Sequence, residues 1–77
     1  MAIDVRFFAS LREQLGKDSV QLNALEAGTV EEVWRKATEE ASLPANTLAA
    51  LNQVNAKFDA AVIDGDEVAF FPPVTGG

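Results

Sequence analysis

The chain is 77 residues long, 48% hydrophobic, and carries 12 acidic against 6 basic residues for a formal charge of −6. That size fits one domain over residues 1–77, with roughly 60% of its unfolded surface buried, and the apolar content excludes a disordered chain. With no Cys and no His, it excludes a disulfide scaffold, a thiolate-held cluster, a Cys nucleophile and a His base; no metal site is expected, and the acidic balance argues against binding nucleic acid.

The start, Met1-Ala2-Ile3-Asp4, lacks the basic and long apolar parts of a signal peptide. No stretch approaches the ~18 apolar residues of a membrane span. A cytoplasmic protein with no membrane contact is the expectation. After Lys57 there is no further Lys or Arg, while Asp59, Asp64, Asp66 and Glu67 follow. This local acidity suits a basic partner, or solubility alone.

Ile3 to Phe8 alternates as a strand, with Ile3, Val5 and Phe7 on one face and Asp4, Arg6 and Phe8 on the other. Ser10 is placed to cap a short helix, with Glu13 completing a capping box, and Gly16 ends it. Ser19 to Leu22 predicts a second strand, antiparallel to the first. Ala27-Gly28 is a turn. Thr29 then caps a longer helix with Glu32 three residues on, and Val30, Val33, Trp34, Ala37 and Ala41 give it an apolar stripe. Trp34 is read as a core anchor, and Ser42 to Pro44 as the end of the helix.

Asn46 to Ala50 suggests another helical turn, Leu51 to Val54 a short strand, and Asn55-Ala56-Lys57 a bend. Val62 and Ile63 are expected to add apolar packing. Asp64-Gly65-Asp66 reads as a tight turn and Glu67 to Phe71 as the last strand, with Val68 and Phe70 inward. The order β-β-α-β-β, with short helical insertions, predicts an α+β fold: a mixed sheet packed on one main helix. Its first strand is central and its last lies parallel beside it. That arrangement is a β-grasp, the ubiquitin-like fold.

The chain ends in Phe-Phe-Pro-Pro-Val-Thr-Gly-Gly. Pro72-Pro73 stops the strand, because proline lacks the ladder N–H. Gly76-Gly77 makes a narrow tip able to thread a channel that any Cβ would block. Its reactive group would be the Gly77 α-carboxylate, a poor electrophile until adenylation by ATP makes a mixed anhydride open to a sulfur nucleophile. Small terminal residues are also simply a common kind of chain end. Asp64 and Asp66 serve a turn, and no catalytic pair or phosphate loop is present. Phe8 and Phe71, on the face away from the core, either join into an aromatic contact patch or close a second small core under the helical insertion. Arg12, just beyond Phe8, is placed to grip a partner carboxylate.

The pattern from Val5 to Glu13 (V-R-F-F-A-S-L-R-E), the Asn52-Gln53 pair and the block from Asp64 to Gly77 (D-G-D-E-V-A-F-F-P-P-V-T-G-G) resemble the MoaD family, the small sulfur-carrier subunits of molybdopterin synthase. The resemblance spans the whole chain. It implies that an E1-like enzyme adenylates Gly77, with nothing bound permanently, and that sulfur transfer leaves a thiocarboxylate there. It implies that residues 72–77 form a tail entering the large synthase subunit and giving sulfur to cyclic pyranopterin monophosphate, in a heterotetramer of two small and two large subunits. Catalysis is then not the small subunit's alone. On this resemblance Gly76 and Gly77 are the reactive tip, and Phe8, Arg12, Phe71, Pro72, Pro73, Val74 and Thr75 contact the partner. Asn55 departs from a position often apolar in that family. The competing readings are a carrier for thiamine thiazole synthesis, a ubiquitin-like modifier linked to lysines, and an inert binding module.

Overall fold

The computed structural model describes residues 2–26, 28–39, 43 and 46–73. The expectations placed on Ala27, Ala41, Ser42, Pro44 and residues 74–77 lie outside these.

Among the described residues, five strands form one sheet in the order β2-β1-β5-β3-β4. Strand β1 (Ala2–Phe7) pairs antiparallel with β2 (Ser19–Asn23) and parallel with β5 (Glu67–Phe71). Strand β3 (Leu48–Leu51) pairs antiparallel with β5 on its other side and with β4 (Val54–Ala56). The expectation of a central first strand is corrected: β5 holds the middle and β1 is its neighbour. The β-grasp class stands, with the last strand parallel to the first as expected.

The alternation of β1 and β5 builds the core. Ile3, Val5, Phe7, Val68 and Phe70 are all buried. Helix α2 (Val30–Ala37) lays Val30, Val33, Trp34 and Ala37 on that face. The Trp34 indole meets the Phe70 ring edge-on at 5.0 Å and the Phe7 ring at 5.9 Å. Edge-to-face pairs place a positive ring edge against a negative ring face.

The start of α2 is closed on all sides. Val30 N–H donates to the Ala60 carbonyl, Glu31 N–H to that of Phe58, and Glu32 N–H to Thr29 Oγ1. Donors that a helix leaves open are thereby satisfied by the crossing segment and the cap. The Glu32 carboxylate accepts from Gly28 N–H and from the Thr29 hydroxyl, so the capping box reaches one residue further back than the usual form. The helix stops at Ala37, before the stretch to which its stripe was extrapolated, with Thr38 Oγ1 donating to the Trp34 carbonyl.

Several local readings are overturned. Helix α1 (Ala9–Leu15) starts one residue before Ser10: Phe8 occupies the cap position with no side-chain cap, so Ser10 and Glu13 form no box there. Ala9 makes the turn with φ 54. Gly16 does end α1, at φ 70. The helical turn expected over Asn46 to Ala50 is instead mostly β3. The strand expected over Leu51 to Val54 is the corner of a hairpin, and the supposed bend at Asn55 and Ala56 is β4. Pairing with β5 supplies the missing backbone partners of Leu48 to Leu51, which no local pattern reveals. Ile63 is exposed, while Val62 is buried as expected.

Candidate functional site

The candidate site residues of β1 and β5 lie on the outward face of the sheet. Strand register sets Arg6 opposite Ala69, Ala69 opposite Ala50, and Ala50 opposite Asn55. This row crosses four strands. The next row sets Leu48 opposite Phe71. Phe8 follows β1 with its N–H donated to the Phe70 carbonyl, which keeps it alongside the end of β5.

Phe8 and Phe71 line one open depression together with Arg6, Gln53, Glu67 and Ala69. The chain thus brings the two phenylalanines together on the solvent side. Phe8 keeps 47% of its surface exposed and Leu48 keeps 43%, whereas Ala50 is buried. No described helix closes a second core over them, and both rings border the same open depression. Pro72 is half-buried and Pro73 exposed, and both leave β5 directly after Phe71.

Arg12 is not part of this constellation. It lines a separate depression with Gly16, Lys17 and Asp18 at the end of α1. Asn55 lies on the outward row, at its β4 end. Gly76, Gly77, Val74 and Thr75 lie outside the described residues.

Sequence reasoning placed Arg6 and Ala69 on the outward face but gave them no role. Gln53 joins them because Asn52 and Gln53 adopt φ 51 and φ 69 between paired Leu51 and Val54, the mark of a two-residue type I′ hairpin. The Asn at the first turn position was the available signal.

The charged part of the depression is one ion pair. Arg6 Nε donates to Glu67 Oε2 at 2.7 Å across the β1–β5 boundary. Asp4, paired in register with Glu67, accepts from Gln21 Nε2 at 2.8 Å. At the start of β5, the Asp66 carboxyl lies below the usual aspartate range. The main cause is the Ile63 N–H it accepts, then the Asn52 amide, with desolvation opposing. No described helix is long and apolar enough to cross a membrane.

Among the described residues, a mixed five-stranded sheet packed on one main helix, with its central strand leading into Pro72 and Pro73 beside the Phe8–Phe71 depression, defines a ubiquitin-like β-grasp domain. The ThiS family model matches residues 5–77, and the chain belongs to the ThiS family. It is 45% identical to the molybdopterin synthase sulfur carrier subunit of Escherichia coli K12, over 97% of this chain and 99% of that one. It is 41% identical to the same subunit of Haemophilus influenzae, with the same coverage. Among solved structures, SAMP1 from Haloferax volcanii superposes with a TM-score of 0.77 at 27% identity, covering both chains fully. The complex of subunits 1 and 2 of molybdopterin-converting factor from Helicobacter pylori gives 0.66 at 25% identity, again over the full length of both chains.

Proposed function

We propose that this chain is the sulfur-carrier subunit of a molybdopterin synthase, with the Gly77 α-carboxylate as its reacting group. The observation that carries the reading is its 45% identity to such a subunit along nearly the whole of both chains.

The chain itself supports the division of labour. It has no Cys or His to act as nucleophile or base, so activation comes from another protein. An E1-like enzyme joins the Gly77 carboxylate to the AMP part of ATP, releasing pyrophosphate. A sulfur nucleophile then forms the C–S bond as the C–O bond to AMP breaks, and the end product is a thiocarboxylate. Gly76 leaves room for the tip in both partner sites.

The depression at Phe8 and Phe71 is the docking surface, and Pro72 and Pro73 stiffen the exit of the tail. Val74 and Thr75 carry the tip inward. Arg12 joins the contact where a partner reaches past α1. The partner is the large synthase subunit, in a heterotetramer of two small and two large chains. Docking makes delivery of the terminus effectively intramolecular. There the thiocarboxylate gives its sulfur to cyclic pyranopterin monophosphate, and two rounds build the dithiolene. This is chemistry of the cytoplasm, and the cations that stabilise its intermediates are supplied by the partners.

The test is intact-mass measurement after incubation with ATP, a sulfur donor and the activating enzyme. A gain equal to exchange of one oxygen for sulfur, mapped to Gly77 and absent from a chain lacking Gly77, is expected. No terminal gain with an enzyme active on another carrier overturns the reading.

A further inference from the structure

We propose that Arg6 is a partner-reading residue: its guanidinium, oriented by Glu67, receives a carboxylate of the large subunit that covers the Phe8–Phe71 depression. The inference rests on the docking surface proposed above and adds the chemistry of its recognition.

Arg6 is the one cationic side chain lining that depression among the described residues. It stands opposite Ala69, and beyond that lies Ala50, so its own row holds only small side chains on β5 and β3. The side chain keeps 54% of its surface exposed. Its bond to Glu67 uses Nε, one of the five N–H donors of a guanidinium. A fork held from its Nε edge has lost part of its rotational freedom, while its Nη donors still offer the geometry that a carboxylate accepts in pairs.

Stability gives little reason for the pair, because an exposed ion pair contributes little to a fold. Covering it is another matter. A partner that seals the depression strips water from the Nη donors, and a buried donor left unmet opposes binding. Glu67 alone meets the Nε side. A carboxylate on the partner meets the rest and turns the desolvated group into an attractive contact. A partner with an apolar or basic group at that point is rejected. The surface therefore selects as well as attaches: aromatic rings supply the area and Arg6 supplies the discrimination.

The experiment measures the Kd of the cognate large subunit by calorimetry for wild type, Arg6→Ala, Arg6→Lys, Phe71→Ala, and the exchange Arg6→Glu with Glu67→Arg. Circular dichroism checks that each variant is folded. The exchange keeps a pair between the same strands but reverses the charge presented. Arg6→Ala is expected to weaken binding about tenfold, Arg6→Lys less, and the exchange at least as much as Arg6→Ala. If Phe71→Ala weakens binding while the exchange binds as wild type does, the docking surface stands and the role of Arg6 is overturned. If Phe71→Ala also leaves Kd unchanged, the docking surface falls and the inference with it.

Discussion

Asn52 and Asp66 are joined side chain to side chain: Asn52 Nδ2 donates to Asp66 Oδ1 at 2.9 Å. The same Asn52 accepts the Glu67 N–H through its Oδ1, and its own N–H donates to the Glu67 carbonyl at 2.7 Å. One residue thus ties the β3–β4 turn to the start of the central strand.

This tie predicts an acid-sensitive contribution to stability. The folded Asp66 carboxyl titrates below its unfolded value because the Ile63 N–H and then the Asn52 amide favour the charged form. Its stabilisation is therefore fully present above the unfolded aspartate value of about 4 and is lost as pH falls through the folded value. Asp66→Asn sets an amide donor against one of the donors that Asp66 now meets. It should lower stability at neutral pH by about 1 kcal/mol. The difference from wild type should shrink in acid. Urea unfolding followed between neutral and low pH checks this, and a pH-independent difference would sink the account.

Phe8→Ala and Phe71→Ala should each weaken binding to the large subunit by roughly tenfold or more, as truncation of an interface aromatic commonly does. Phe8 is exposed at 47% and stands outside the core, so its truncation should leave the urea midpoint nearly unchanged. Calorimetric binding set beside unfolding separates the two effects. A Phe8→Ala chain that binds normally would remove Phe8 from the docking surface.

Trp34→Ala should be close to the limit of what the fold withstands. The indole packs against Phe7 and Phe70 and is almost wholly buried. Removing such a side chain costs about 3–5 kcal/mol, against a total of about 5 kcal/mol at the lower end for small domains. A chain that is largely unfolded at 37 °C by circular dichroism is expected. A loss below about 1 kcal/mol would mean that the helix–sheet contact is not the main anchor.

These features differ in how far the sequence announces them. The face of β1 is written in Ile3, Val5 and Phe7, and that of β5 in Val68 and Phe70, because alternation is local and burial follows it. Thr29 and Glu32 announce the start of α2 in the same way. The outward positions of Phe8 and Phe71 were legible for this reason, and so was the Asp64-Gly65-Asp66 turn. Strand β3 was not: Leu48-Ala49-Ala50-Leu51 has the apolar content of either a helix or a strand, and β5 decides between them from a distance in sequence. The pairing of Arg6 with Glu67 was hidden for the same reason, since parallel register brings them to adjacent rows only after the sheet has formed.

The hairpin that escaped the sequence also yields the last prediction. Gln53 holds φ 69 beside Asn52 at φ 51, with Leu51 and Val54 paired on either side. A type I′ turn needs positive φ at both central residues, and Asn followed by Gly is its favoured pair. Asn52 already fills the first position and holds Asp66 and Glu67 through its side chain. Gln53 fills the second with a Cβ that the left-handed region disfavours by about 1–2 kcal/mol. Gln53→Gly relieves that strain but gives the unfolded chain more freedom, which offsets about 0.5–1 kcal/mol of the gain. The net expectation is a rise in stability of about 0.5 kcal/mol. It would be read as a higher urea midpoint with an unchanged slope. Gln53→Ala, which keeps the Cβ, should show no such rise. A lower midpoint for Gln53→Gly would mean that the Gln53 side chain contributes more at the edge of the depression than its backbone strain removes.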